Sequence, residues 1–132
     1  MIYLDANVFV YAAINNGELG ERSRNIIKKL LDNKVSAFTS VLTWDEVVWA
    51  IRKKVGVDIS ISEGEKLLKI DNLNWLQANE QIIFFSQKLM KIYHLKPRDA
   101  IHAASAIINK CESVISDDSD FDKVKEIKRV KV

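Results

Sequence analysis

The chain has 132 residues, of which 48% are hydrophobic and 29% charged, proportions typical of one folded domain over residues 1–132 rather than of a disordered protein. Twenty Lys and Arg residues against 18 Asp and Glu residues leave a formal net charge of +2, too small to indicate a nucleic-acid or membrane partner by itself. The single cysteine, Cys111, excludes an internal disulfide and a cysteine zinc site, and it is compatible with the reducing cytoplasm.

The first half of the chain alternates short apolar runs with helical patterns. Residues 1–4 form an apolar run that Asp5 ends, which is far shorter than the ~20 residues of a membrane span and too short for the apolar region of a signal peptide. A second run at residues 35–39 also has the character of a buried strand. The helices predicted in this half are residues 7–14, 21–31 and 42–54.

The second half continues the alternation. A helix is predicted at residues 62–70, where Gly64 weakens the pattern, and a short strand at residues 73–77. Residues 81–93 carry apolar side chains at helical spacing, and Pro97 opens an apolar helix that extends to about residue 109. Residues 113–116 form a third buried run, and residues 127–132 alternate apolar and basic side chains as an edge strand does.

This order of elements predicts an α/β domain whose parallel sheet is covered by helices on both faces. In such a sheet, ligands bind beyond the carboxyl ends of the strands. Six acidic residues follow predicted strands or lie in the first turn of a predicted helix: Asp5, Glu46, Asp99, Asp117, Asp118 and Asp120. If the strands are neighbours, these residues converge on one edge.

Most of these acids also have a purely structural interpretation. Glu46 completes a capping-box pattern with Thr43, Asp99 complements the dipole of its helix, and the acidic residues 117–122 are compatible with a solvated turn. Asp5 favours function, because a carboxylate that ends a buried strand is costly to bury unpaired. Several carboxylates at one edge repel one another, and oxygen ligands of this kind suit Mg²⁺ or Mn²⁺ and therefore phosphoryl chemistry.

Four stretches of the chain resemble the motifs of PIN-domain ribonucleases, and most closely those of VapC toxins from VapBC toxin–antitoxin systems. They cover nearly the whole chain and occur in the family's order. The stretches are LDANVFV at residues 4–10, TSVLTWDEV at 39–47, RDAIHAA at 98–104 and SDDSDF at 116–121.

The resemblance implies a three-layer α/β/α fold with a mostly parallel sheet of about five strands. It further implies metal-dependent endonucleolytic cleavage of RNA with Mg²⁺ or Mn²⁺, a homodimer, and inhibition by a cognate antitoxin protein. The acidic tetrad carried over is Asp5, Glu46, Asp99 and Asp118. Among these, Asp5, Asp99 and Asp118 are the expected metal ligands, and Asp120 is a further candidate. Asn7 and Ser40 are the expected supporting groups that orient the carboxylates.

Basic and aromatic residues supply the remaining expectations. Lys96 and Arg98 flank Asp99 and are the candidates for holding the RNA strand. His102 lies on an apolar helix, so a core position is favoured over a role as general base. The homodimer is also expected from the many aromatic residues on the early helices, namely Phe9, Tyr11, Trp44 and Trp49.

Two other functions remain open on the sequence. A receiver domain of the phospho-accepting type also has an acidic site on a small α/β fold. It needs an acidic pair after the first strand and an Asp after a mid-chain strand, whereas here the first strand ends in one Asp and no mid-chain strand ends in another. A PIN fold that only binds RNA or a partner protein is the other alternative, although such a protein would gain nothing from clustered carboxylates.

Overall fold

The computed structural model describes residues 1–132 as a five-stranded sheet flanked by six helices. All neighbouring strands are parallel, in the order β3-β2-β1-β4-β5. The elements are β1 (Ile2–Leu4), α1 (Ala6–Ile14), α2 (Glu18–Leu31), β2 (Ala37–Ser40), α3 (Val41–Val55), α4 (Val57–Leu68), β3 (Leu73–Leu76), α5 (Glu80–Tyr93), α6 (Pro97–Ile108), β4 (Ser113–Ile115), a 3-10 helix (Ser119–Lys123) and β5 (Lys128–Val130).

The five predicted strands and six predicted helices are confirmed, and the fold class with them. The largest difference is α4, which begins at Val57, five residues before the predicted start at Ser62. Gly56, with φ of 98°, separates it from α3. Gly64 is a packing residue rather than a weak point of α4, because a Cβ atom there would lie 3.0 Å from Val48 Cγ2. Glycine therefore lets the two helices approach closely.

Two apolar clusters lie on opposite faces of the sheet and complete a three-layer α/β/α arrangement. Tyr3 belongs to the cluster under α5 and α6, whereas Leu4 belongs to the cluster under α1 to α4. Successive residues of a strand point to opposite faces, so β1 contributes to both layers. Helix α6 is buried along most of its length, as its apolar composition predicts.

The topology brings the carboxyl ends of β1, β2 and β4 together. Strand β1 is central and pairs with β2 on one side and β4 on the other. The residues that follow these three strands, or end them, are Asp5, Ser40 and Ser116, and all three are buried. None of the helices has the length and apolar character needed to cross a membrane.

Candidate metal centre at the carboxyl edge of the sheet

Asp5 is buried at the edge of the sheet and its carboxylate is fixed by hydrogen bonds. It is the N-cap of α1, where its Oδ1 accepts from the Ala6 N–H at 2.8 Å. Its Oδ2 accepts from Ser116 Oγ at 2.6 Å and from Asn7 Nδ2 at 3.3 Å. These contacts compensate for lost hydration, and Asn7 contacts a carboxylate as the sequence predicted.

Three other carboxylates lie within reach of a single cation. One oxygen atom from each of Asp99, Asp118 and Asp120 lies within 4.8 Å of the others. Asp118 caps the 3-10 helix by accepting from the Asp120 N–H at 2.9 Å, and its own N–H donates to Ser116 Oγ at 2.9 Å. Ser116 therefore connects Asp5 to the loop that carries this cluster.

The charges of the cluster are poorly compensated in the protein itself. Asp99 is half-buried and accepts no hydrogen bond. Burial, together with the negative charges of Asp118 and Asp5, raises the pKa of Asp99 from 3.8 to about 7. Of the three carboxylates, only that of Asp120 forms an ion pair with a lysine, Lys123 Nζ at 3.1 Å. An all-oxygen set of repelling carboxylates fits a hard divalent cation, which would remove this repulsion.

Glu46 reaches the site through a histidine. The His102 ring is completely buried, and its Nε2 forms a hydrogen bond with Glu46 Oε1 and lies 3.6 Å from Asp5 Oδ1. Burial opposes the charged form of this ring, but Glu46, Asp5 and Asp99 outweigh burial and raise the pKa of His102. The core position expected for His102 is confirmed, with a polar role that the sequence did not indicate.

The capping-box interpretation of Glu46 is wrong. Helix α3 begins at Val41 with Ser40 as its N-cap, which places Glu46 beyond the first turn. Glu46 therefore has no free N–H of the helix terminus to bind, and its partner is His102 instead. The pattern failed because a capping box with Glu46 needs Thr43 as the N-cap, whereas α3 begins at Val41, which makes Thr43 the third residue of the helix.

Ser40 has a different contact from the one expected of it. Its Oγ accepts from the Leu42 N–H at 3.1 Å and caps α3, and it bonds to no carboxylate. We therefore expect Ser40→Ala to lower the free energy of unfolding by about 1 kcal/mol, the usual cost of losing an N-cap. Urea unfolding measures this cost, and Mn²⁺ titration of the same variant should give the wild-type affinity. A clear loss of affinity would restore Ser40 as a group that orients the carboxylates.

The structure also separates the neighbouring acids of the last motif. Asp117 lies beside Tyr11 of α1, where burial and the Asp117 carboxylate raise the pKa of the Tyr11 hydroxyl. Asp122 binds Arg129 through both carboxylate oxygens, at 2.9 and 3.0 Å. Neither acid belongs to the cluster, so Asp118 and Asp120 are the members of this loop that face the other carboxylates.

An open cavity of about 400 Å³ leads to these carboxylates, and five of its six lining residues are charged. Both predicted RNA-contacting residues, Lys96 and Arg98, lie on its wall and are exposed. Arg98 is only loosely engaged, 3.8 Å from Asp45. The cavity is lined by Glu46, Lys96, Pro97, Arg98, Asp99 and Asp118. It therefore combines an acidic floor with a basic rim.

Three residues that support the site were not identified from the sequence. Ser116 could have been identified, since it ends the strand before the acidic loop. Nothing in the sequence indicated a role for Tyr3, because an aromatic residue in a buried strand is ordinary core composition. Arg129 had only its place in a basic alternating segment, yet its Nη1 donates to the Ser116 carbonyl at 3.2 Å and its guanidinium secures the acidic loop through Asp122.

Comparison with known proteins gives a family and a set of structural relatives. The family model of the PIN domain matches residues 2–127. No curated protein sequence matches the chain. One similar solved structure is VapBC2 from Rickettsia felis bound to a DNA fragment from their promoter, with 18% identity, a TM-score of 0.77 and coverage of 99% of this chain and 98% of that one.

Two further structures have the same fold. The VapC20 toxin of Mycobacterium tuberculosis, described as cleaving the sarcin-ricin loop, has 11% identity and a TM-score of 0.78, with coverage of 97% of this chain and 98% of that one. A toxin–antitoxin complex from Klebsiella pneumoniae has 20% identity and a TM-score of 0.71, with coverage of 96% and 95%. At these identities the likeness establishes the fold.

Proposed function

The chain belongs to the PIN domain family, and from this membership we propose that residues 1–132 form a single-domain endoribonuclease that hydrolyses RNA with Mg²⁺ or Mn²⁺. The observation that carries the proposal is the convergence of Asp99, Asp118 and Asp120 at the edge where Asp5 is held. These carboxylates have too few cationic partners of their own, so a divalent cation accounts for their proximity.

Asp5, Asp99 and Asp118 are the proposed cation ligands, with Asp120 as a fourth. A divalent cation at such a site neutralises charge on a phosphate and activates water for its hydrolysis. Asn7 and Ser116 orient Asp5, and Ser116 also fixes the backbone at Asp118. Glu46 completes the acidic set on the wall of the cavity.

Four acids repel a nucleic acid, so the rim must attract it. Lys96 and Arg98 lie on the same cavity wall as Asp99 and supply positive charge where an RNA backbone would enter. Both are exposed, and neither has a close carboxylate partner. We infer that they hold the phosphates on either side of the scissile bond.

The test is cleavage of a labelled RNA by the purified full chain. Cleavage is expected with Mg²⁺ or Mn²⁺, and it should stop when EDTA is in excess and return when metal is restored. Asp118→Asn should lose the activity, whereas Asp71→Asn should keep it, because Asp71 is exposed in the turn before β3 at the opposite edge of the sheet.

Two results would contradict this assignment. Cleavage that persists in EDTA would remove the metal from the mechanism. Binding of RNA with no cleavage under any metal would favour the alternative of a PIN fold that only binds RNA. The match to the PIN domain family argues against the receiver-domain alternative, and β2 ends in Ser40 rather than in Asp.

The proposal includes a role as the toxin of a toxin–antitoxin pair, located in the cytoplasm. Its support is the likeness to solved proteins described as VapBC and as a toxin–antitoxin complex. Expression of the chain in a bacterial host should arrest growth, and Asp118→Asn should relieve the arrest. A cognate antitoxin, sought beside the gene, should form a complex with the chain and restore growth.

We also propose a homodimer, which only two of the four aromatic residues expected at its interface now support. Of the four aromatic residues, Phe9 is buried in the core and Tyr11 is half-buried, but Trp44 and Trp49 are 43% and 51% exposed on α3. Light scattering at micromolar concentrations should give twice the chain mass, and Trp49→Glu should shift it toward the monomer. A monomer mass for the wild type at all concentrations would contradict the prediction.

A further inference from the structure

A polar pair lies inside the apolar core beneath the site. Tyr3 on β1 and His102 on α6 are both 0% exposed, and their rings meet edge to face with centroids 5.7 Å apart. Tyr3 belongs to an apolar cluster that also contains Leu89, Ala103 and Val114. Buried polar groups of this kind are costly unless each is hydrogen-bonded, so the partners of the pair define its role.

The partners determine the direction of every hydrogen bond. Tyr3 Oη has two partners, the Ser40 N–H at 3.0 Å and His102 Nδ1 at 2.6 Å. The amide can only donate. If the hydroxyl also accepted a hydrogen bond from Nδ1, its own buried proton would have no acceptor, so when the ring is neutral the Tyr3 hydroxyl donates to Nδ1. In the neutral ring this places the hydrogen on Nε2, which faces Glu46 and lies 3.6 Å from Asp5 Oδ1.

We propose that Tyr3 and His102 are positioning residues for the acidic site, with Tyr3 selecting the Nε2–H tautomer through which His102 holds Glu46 beside Asp5. This inference rests on the proposed function and deepens it. His102 lies on α6 one turn after Asp99, whereas Glu46 lies on α3. The hydrogen bond therefore connects the helix that carries Asp99 to the helix that carries Glu46, and it opposes the separation that carboxylate repulsion would produce.

The tautomer is measurable without metal or substrate. The chain contains two histidines, and His94 is exposed, so the ¹⁵N resonances of the His102 ring are assigned against a solvated reference. At alkaline pH, where the ring is neutral, we expect hydrogen on Nε2 in the wild type. Tyr3→Phe removes the donor to Nδ1 and leaves Glu46 as the only partner that favours hydrogen on Nε2, so we expect the fraction of the Nδ1–H tautomer to rise. Hydrogen on Nδ1 in the wild type would overturn the proposal.

Two substitutions of His102 separate positioning from simple core packing. The amide of His102→Gln extends far enough to keep a donor near the Nε2 position, whereas the shorter His102→Asn keeps polarity only near Nδ1. We expect His102→Asn to weaken Mn²⁺ binding about 10- to 100-fold, as the loss of a group that orients ligands does, and to lower kcat for RNA with little change in KM. His102→Gln should recover most of the Mn²⁺ affinity that His102→Asn loses.

The Mn²⁺ affinities of these variants distinguish a positioning role from core packing. Equal Mn²⁺ affinity in the wild type and both His102 variants, with only a lower melting temperature, would reduce the pair to core packing. If His102→Asn does not fold, Tyr3→Phe takes its place, since it removes one hydroxyl and should weaken Mn²⁺ binding in the same direction. A wild type that binds Mn²⁺ but does not cleave RNA would contradict the ribonuclease and leave the positioning role supported, whereas failure to bind Mn²⁺ would overturn both.

Discussion

Asp99→Asn is expected to make the metal-free protein more stable at pH 8, although it removes a charge from the first turn of α6. The pKa of Asp99 is about 7 in the folded protein against an ordinary value of 3.8, a difference worth at most about 4 kcal/mol. The lost interaction with the helix dipole offsets about 0.3–1 kcal/mol of the gain. A net stabilisation of about 1–3 kcal/mol is therefore expected, since the side chain is half-buried and partly screened.

The gain should depend on pH with a definite sign. Because the folded pKa of Asp99 exceeds the unfolded value, the folded wild type binds more protons between pH 4 and pH 7. Its stability therefore falls as pH rises through this range, and the penalty is complete only above about pH 7. Urea unfolding in EDTA at pH 4.5 and pH 8 should show a small or negative effect of Asp99→Asn at the lower pH and stabilisation at the higher.

Metal reverses the order of stability. Mn²⁺ at a thousand times its Kd should stabilise the wild type by about 4 kcal/mol, provided that the unfolded chain does not bind it. Asp99→Asn should gain little, because one of the three clustered carboxylates is lost. Asp71→Asn, at the opposite edge of the sheet, should match the wild type in both conditions. A metal-free Asp99→Asn variant that is less stable than the wild type at pH 8, with an undiminished Mn²⁺ effect, would make Asp99 a helix-terminus residue only.

The sequence predicted the parts of this site that follow from strand order. Asp5 comes directly after β1, and Asp118 lies three residues after the end of β4. The carboxyl ends of parallel strands share an edge, so the proximity of the two acids needed only the correct assignment of these strands. Asp99 was harder to place, because it lies at the start of α6, which follows α5 rather than a strand, so strand order alone does not fix its position. Strand β5 lies at an edge of the sheet, as its alternating apolar and basic residues predicted.

The parts that the sequence could not supply depend on side-chain direction. Asp117 and Asp118 are adjacent, yet one lies beside Tyr11 and the other in the acidic cluster, where it is the N-cap of the 3-10 helix that begins at Ser119. Tyr3 and His102 have the composition of core residues, and 98 residues separate them in the chain. Their hydrogen bond exists only because β1 and α6 pack against each other. The hydrophobic periodicity of a single sequence does not indicate such a contact.

The affinity of the site for Mn²⁺ is expected to rise about 100-fold between pH 5 and pH 8. A carboxylate must be ionised to bind a cation, and with a pKa of about 7, Asp99 is ionised in about 1% of metal-free molecules at pH 5 and in about 90% at pH 8. Below the pKa, binding must displace its proton, so affinity should change about tenfold per pH unit and level off above pH 8. An exposed carboxylate of ordinary pKa would give no such change in this range.

Calorimetric titration of Mn²⁺ into the full chain measures both the affinity and the proton released. Titrations in buffers of different ionisation enthalpy should show nearly one proton released per Mn²⁺ at pH 6, and about half a proton at pH 7, where Asp99 is half ionised. Asp99→Asn should bind weakly, without this proton release, because the group that titrates is gone. Affinity in the wild type that stays constant from pH 6 to pH 8 would mean that the charge of Asp99 is compensated without the cation, and it would remove the repulsion from which the metal centre was inferred.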